Sequence, residues 1–212
     1  MNRSKPKKKP SRGRVVRYAD DEVIIVTGMD LDKLREELQN MLESLQESYA
    51  EIGLGYSAPK CQLLHVTAKH ERLGDRRLVL NGIEIPIVEE VLYLGVYFTR
   101  NLTWTRHIEE SRRKVLRKIN SVRSYLGSAR GLPIQATRWI YSAVMVPIMT
   151  YGAIAWAARD ITDKDKRLLM KTNRIAANTM ITPMKSTPST KLELILNTKP
   201  LDITAQERAL VA

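Results

Sequence analysis

The chain has 212 residues and is 43% hydrophobic, enough to bury a core in one or two small domains and too much for global disorder. A single cysteine, Cys61, excludes an intrachain disulfide. The net charge of +12 is concentrated: residues 1–17 carry eight basic side chains and no acid, and residues 106–130 carry eight basic side chains against two acids. These two blocks exceed the whole net charge, which points to a polyanionic partner such as nucleic acid.

Residues 1–14 are rich in Lys, Pro, Ser and Arg and are expected to be a disordered basic tail, with Lys5 to Lys9 able to act as a nuclear-import or phosphate-binding run. No apolar h-region follows, so this is not a secretory signal. Val15 to Val26 reads as a β-hairpin with Tyr18-Ala19-Asp20-Asp21 at its tip. Adjacent side chains in a strand point to opposite faces, so two neighbouring carboxylates reach one site only at a tight turn. Paired carboxylates there are hard oxygen ligands of the kind Mg²⁺ prefers. Two such cations can clamp the attacking and leaving oxygens of a phosphoryl transfer.

Asp30 is the expected cap of a long amphipathic helix, because Leu31, Leu34, Leu38, Met41, Leu42, Leu45 and Ile52 recur at helical spacing until Gly53. It should lie on one face of the hairpin. Gly53-x-Gly55-x-x-Ala58 imitates a dinucleotide fingerprint, but it follows a helix and precedes a strand, the reverse of what phosphate binding requires. Leu63 to Val66 reads as a strand, and Asn81-Gly82 within Leu78 to Ile85 predicts a type I′ hairpin. Val91 to Thr99 reads as a strand interrupted at Gly95, where something approaches the backbone closely.

From Thr103 the pattern turns helical. Ile108, Val115, Ile119, Val122 and Leu126 form one apolar stripe, with Arg106, Arg113 and Arg117 nearly opposite. A further helix is expected from Pro133 through Val144, kinked or broken at Pro147, followed by apolar packing to Trp156. Helices are also expected over Asp163 to Met180 and Pro188 to Leu196, the latter capped by Thr187. The apolar run Ala143 to Trp156 is too short and too interrupted to span a membrane. The three histidines (His65, His70, His107) and Cys61 lack zinc-ligand spacing. The fold class is therefore α+β: a β-rich first half with one long helix, then an all-α second half, with the boundary near 101–104.

The ordered series resembles the reverse transcriptases of non-LTR (LINE-type, jockey-like) retrotransposons. It comprises the Tyr-Ala-Asp-Asp hairpin, the long helix, Gly53 to Cys61, the Asn-Gly hairpin, Tyr93-Leu94-Gly95-Val96, Leu102-x-Trp104-x-x-His107-Ile108, and Tyr141 to Trp156 with Tyr151-Gly152. The likeness covers about residues 15–205. It implies a partial polymerase palm over 15–101 (an antiparallel sheet with one long helix), thumb-like helices over 102–158 and a helical connection region over 159–212. It implies that Asp20 binds catalytic Mg²⁺ with Asp21 in support, and that Lys60 lies near the incoming triphosphate. Tyr18 and the primer-grip pair Leu94 and Gly95 would contact nucleic acid. Arg106, Arg113, Lys114 and Arg117 would face the backbone of an RNA template and DNA primer.

The family also has fingers and a first palm half that carries another metal-binding aspartate, whereas the 17 residues before Tyr18 here contain no acid. The expectation is thus an N-terminally truncated, intracellular and nuclear fragment, inactive by itself. The alternative is a non-catalytic nucleic-acid-binding remnant that uses the basic tail and the thumb helix.

Overall fold

The computed structural model describes residues 13–67, 77–126, 133–158, 161–181, 184 and 186–211. Lys5 to Lys9, His70 and Thr182 lie outside the described residues, as do the side chains of Val122 and Leu126. The chain divides into two compact units, one formed by residues 1–94 and 99–101, the other by 95–98 and 102–212.

In the first unit, β1 (Arg14–Tyr18) and β2 (Asp21–Ile25) pair antiparallel. Arg14, expected in the tail, is the first strand residue and lies opposite Ile25. Helix α1 (Leu31–Ala50) follows, with the Asp30 carboxylate accepting from the Lys33 N–H at 3.5 Å and Gly53 at φ +75° just beyond its end. Leu38 and Leu42 of α1 pack with Ile24 of β2 and with Leu63, Leu78, Leu80 and Ile85, so the helix covers one face of the hairpin as its periodicity requires.

The remaining strands are shorter than the sequence suggests. A 3₁₀ turn occupies Ala58–Lys60, and β3 is only Leu63–Leu64. The Asn81-Gly82 turn joins β4 (Val79–Leu80) to β5 (Ile83–Glu84) with φ of +51° and +77°, the two positive angles of type I′. β3 pairs parallel with β6 (Ile87–Val88), and the Leu63 N–H donates to the Pro86 carbonyl at 2.9 Å. Among the described residues the strands of the expected antiparallel sheet form separate two-stranded pairs, one of them parallel. Two-residue strands offer too few ladder bonds to extend a sheet. Val91 to Thr99 is not one interrupted strand: β7 (Glu90–Tyr93) and β8 (Val96–Thr99) flank a two-residue turn at Leu94 and Gly95.

The second unit is built around α2 (Thr105–Leu126). Ile108, Val115 and Ile119 enter a core with Met145, Met149, Trp156, Leu169 and Ala205. Helix α3 (Ile134–Ile140) does not break at Pro147. It passes through a π-helical segment, Tyr141–Met145, into α4 (Val146–Met149). Pro147 has no N–H to give the turn before it, and the ladder widens by one residue, so the Val146 N–H reaches back to the Tyr141 carbonyl.

Gly152 at φ +64° turns the chain into α5 (Ala153–Trp156). Helices α6 (Asp163–Ile181) and α7 (Ser189–Leu196) match expectation in position. Thr187 does not cap α7: Pro188 is the N-cap and no side chain bonds there. A last helix, α8 (Leu201–Val211), buries Leu201 and Ala205. No described helix is long and apolar enough to cross a membrane.

Candidate functional site

The hairpin register decides where the acidic pair points. Tyr18 lies opposite Asp21, so the connecting loop is only Ala19 and Asp20. Ala19 adopts φ +53°, a left-handed conformation that costs a non-glycine residue about 1 kcal/mol. Cross-strand partners share a face. One face therefore carries Val15, Arg17, Glu22 and Ile24, and Ile24 packs into the core beneath α1. The opposite face carries Val16, Tyr18, Asp21 and Val23. Tyr18, Asp20 and Asp21 are exposed, and among the described residues neither aspartate has a hydrogen-bond or ion-pair partner. Lys60 is exposed at the end of the 3₁₀ turn.

A brace that the sequence reading missed lies directly behind Asp21. Glu22 has a nearly buried side chain, and its Oε2 accepts from the Tyr49 hydroxyl at 2.7 Å and from Arg17 Nε at 3.3 Å. The Arg17 guanidinium lies 5.7 Å from the centre of the Tyr49 ring, which packs edge-on against Tyr56 at 5.2 Å. The Tyr56 N–H in turn donates to Gln46 Oε1 at 3.1 Å. Burial raises the Glu22 carboxyl, but Tyr49, Tyr56 and Arg17 outweigh it, and the group is held below the usual carboxylate range. Burial also pushes the Tyr56 hydroxyl well above the ordinary tyrosine value, with Glu22 adding to the rise. The signal for this brace was alternation: Glu22 falls on the helix-covered face, where an ionised side chain needs partners.

Leu94 (φ +46°) and Gly95 (φ +79°) form the turn singled out from the sequence. A Cβ on Gly95 would sit 3.0 Å from Cε1 of Tyr151. The close approach expected at Gly95 is thus made by an aromatic ring of the second unit's own helical region. A Cβ on Gly152 would meet Val96 Cγ2 at 2.6 Å. The Tyr151-Gly152 and Leu94-Gly95-Val96 motifs therefore include residues that pack on each other. Trp104 and His107 are structural in the same sense. Trp104 packs edge-on against Phe98, with ring centres 5.6 Å apart. Buried His107 has its Nε2 3.1 Å from the Tyr151 carbonyl, which also accepts from Trp156 Nε1 at 2.9 Å.

The cations on α2 differ from one another. Arg106 is half-buried, paired with Glu110 and stacked over the Tyr97 ring at 5.0 Å. Arg113 is exposed and shares the same Glu110 carboxylate oxygen. Lys114 and Arg117 are exposed. Arg106 is held in place by its neighbours, whereas Arg113, Lys114 and Arg117 present charge to solvent.

As a metal centre the acidic tip has suitable donors in insufficient number. Two carboxylate side chains match the oxygen preference of a hard cation, yet among the described residues no group of three His, Cys, Asp or Glu could hold a metal. A two-metal clamp cannot be assembled from the described residues.

No family model matches the chain, and no solved structure matches it. Curated relatives do. The chain is 23% identical over 189 residues to the 115 kDa protein in the type-1 retrotransposable element R1DM of Drosophila melanogaster, covering 89% of this chain and 18% of that protein. It is 25% identical over 159 residues to the RNA-directed DNA polymerase from mobile element jockey of Drosophila funebris, covering 74% of this chain and 17% of the relative. It is 25% identical over 155 residues to the retrovirus-related Pol polyprotein from type-1 retrotransposable element R1 4 of Nasonia vitripennis, covering 66% of this chain and 40% of the relative. The chain thus spans less than half the length of each of these relatives. The likeness first read from the Tyr-Ala-Asp-Asp turn and the motifs that follow it is borne out: the homologues of this chain are reverse-transcriptase and Pol proteins of R1- and jockey-type non-LTR retrotransposons.

Proposed function

We propose that this chain is the C-terminal half of the palm, with the thumb and the following helical region, of a non-LTR retrotransposon reverse transcriptase. In this reading Asp20 is a direct Mg²⁺ ligand and Asp21 its support, and both act in nucleotidyl transfer only together with the palm half that carries a further aspartate. The observation that carries the reading is the register of β1 and β2. It sets Asp20 in a two-residue loop, and it sets Asp21 beside Tyr18 on the hairpin face opposite α1, where substrate and cations have access. When bound, the metal would supply charge neutralisation at the transferred phosphoryl group. Lys60 would add a mobile cation for the leaving pyrophosphate.

The partners in this reading are an RNA template and a DNA primer. Arg113, Lys114 and Arg117 contact phosphates, fixing the duplex without reading its sequence. In this reading the isolated chain binds nucleic acid and does not polymerise, because among the described residues the two tip carboxylates have no third donor beside them. Primer extension on a poly(rA) template with Mg²⁺ tests this. No product is expected from the chain alone. Extension that is abolished by Asp20→Asn would overturn the claim of inactivity. Addition of the upstream half of a jockey-type polymerase should restore extension in an Asp20-dependent manner.

A further inference from the structure

Helix α6 carries a second row of cations that neither the tail nor α2 accounts for. Lys164, Arg167, Lys171 and Arg174 recur at spacings of three, four and three, which places them within about 80° of one another around the axis. The buried side chains of the same helix, Asp165, Leu169, Thr172 and Ala176, lie on the opposite side. Asp165 fixes that orientation. Its two carboxylate oxygens accept from Thr105 Oγ1 of α2 at 2.6 Å and from Thr162 Oγ1 at 2.7 Å, pinning the N-termini of α2 and α6 together.

The two rows of cations differ in their counter-charges. On α2, Glu110 takes up Arg106 and Arg113. On α6, Lys164, Arg167 and Lys171 are exposed, and among the described residues none pairs with a carboxylate. Arg167 Nε bonds only the Asp163 backbone carbonyl, at 3.1 Å. Arg174 is the anchored end of the row, donating to Ser189 Oγ of α7 at 3.1 Å. Asp163 borders this face four residues before Arg167 but forms no ion pair with it, so the three cations outnumber the acid and repel one another unless an anion lies across them. From Lys164 to Lys171 they extend about 10 Å along the axis, the rise of about three phosphates on one strand of a duplex.

We infer that the face of α6 formed by Lys164, Arg167 and Lys171 is a second phosphate-backbone contact, separate from that of α2, for the nucleic-acid duplex this chain holds. The inference rests on the nucleic-acid reading proposed above and extends it to a helix that reading does not use. The occupant is a nucleic-acid backbone because Lys164, Arg167 and Lys171 are exposed point charges at regular spacing along one helix face, which suits a row of phosphates.

The test is fluorescence anisotropy of the full chain with a labelled RNA–DNA hybrid across a salt titration. The triple variant K164Q/R167Q/K171Q should lower the slope of log affinity against log salt by about 2–3, since each lost phosphate contact removes about one counterion. The charge-conserving K164R/R167K/K171R should keep the parental slope. K33Q/R35Q/R77Q removes the same charge from the first unit and should leave the slope near the parental value. Thermal melts establish that each variant is folded. An unchanged slope in the α6 triple overturns the inference, as does an equal loss in the charge-matched control or a preference for anionic vesicles over the hybrid. If R113Q/K114Q/R117Q leaves binding intact while the α6 triple weakens it, the α6 contact stands and the α2 assignment falls. Absence of binding by the parental chain at low salt removes both.

Discussion

Tyr49, near the end of α1, donates a 2.7 Å hydrogen bond to the carboxylate of Glu22, the residue next to Asp21. The turn that bears the two exposed aspartates is therefore tied to the long helix through its third acidic residue, which points the other way. Tyr49→Phe removes this donor from a nearly buried carboxylate and should cost about 1–3 kcal/mol of stability, read from chemical denaturation. Glu22→Gln should cost a similar amount, because Arg17 then loses its counter-charge. The Glu22 carboxyl is held low by its partners, so its stabilising effect is present above the unfolded value near 4.5 and is lost as pH falls through the lower folded value. The parental protein should lose stability in that acid window, and Glu22→Gln should lose less of it.

His107 gives a second pH dependence, in a different range. Burial pushes its imidazole below the ordinary value of 6.5, the Tyr151 carbonyl opposes that shift, and Lys114 adds to it. A histidine kept neutral in the folded state takes up a proton more readily once unfolded. Its stabilising effect is therefore complete above pH 6.5 and declines as pH falls toward the lower folded value. Melting temperature should drop between neutral and mildly acidic pH. His107→Gln, which can still donate to the Tyr151 carbonyl, should flatten that part of the profile. An unaltered pH profile in the variant would assign the dependence to other groups.

Gly82 and Gly95 allow backbone strain and side-chain collision to be separated. Both have φ near +80°, so alanine at either pays for a left-handed conformation, about 1 kcal/mol. A Cβ on Gly82 meets nothing within 4 Å, whereas one on Gly95 meets the Tyr151 ring at 3.0 Å. Gly95→Ala should therefore be the more destabilising of the two. Gly95→Ala combined with Tyr151→Ala should recover the excess and leave only the backbone component, measured as a double-mutant cycle.

The elements read most directly from the sequence are those whose cause is local. Asn81-Gly82 is a hairpin because few residue pairs tolerate two positive φ angles, and α1 is a helix because its leucines repeat at the helical period. The Tyr18 to Asp21 turn was legible for a related reason, since strands on either side left no other place for adjacent aspartates. What escaped depends on distant partners. The burial of Glu22 is decided by Tyr49 and Tyr56, which come from the end of α1 and beyond. The helix survives Pro147 because the turn before it widens. Helix α8 buries Leu201 and Ala205 but exposes Leu210 and Val211, so its apolar residues do not mark one face. The Trp104-x-x-His107 spacing has no local cause, and its physical basis is packing: Trp104 covers Phe98 and His107 holds the Tyr151 carbonyl.

The cations of α2 should separate into two kinds under substitution. Arg106 is engaged by Glu110 and the Tyr97 ring, so Arg106→Gln should act on stability, by about 1 kcal/mol, and leave duplex affinity nearly unchanged. Lys114→Gln and Arg117→Gln remove exposed charges and should do the reverse, each lowering the salt slope of binding by about 1 with no change in the melt. Arg113 lies between these cases, exposed but sharing the Glu110 carboxylate oxygen with Arg106. Glu110→Gln is the discriminating variant. It releases Arg113 from its counter-charge and should strengthen binding at low salt, provided Arg113 reaches a phosphate. Weaker binding by Glu110→Gln would mean that Glu110 acts by orienting the row, and that the geometry of Arg106 matters more than its charge.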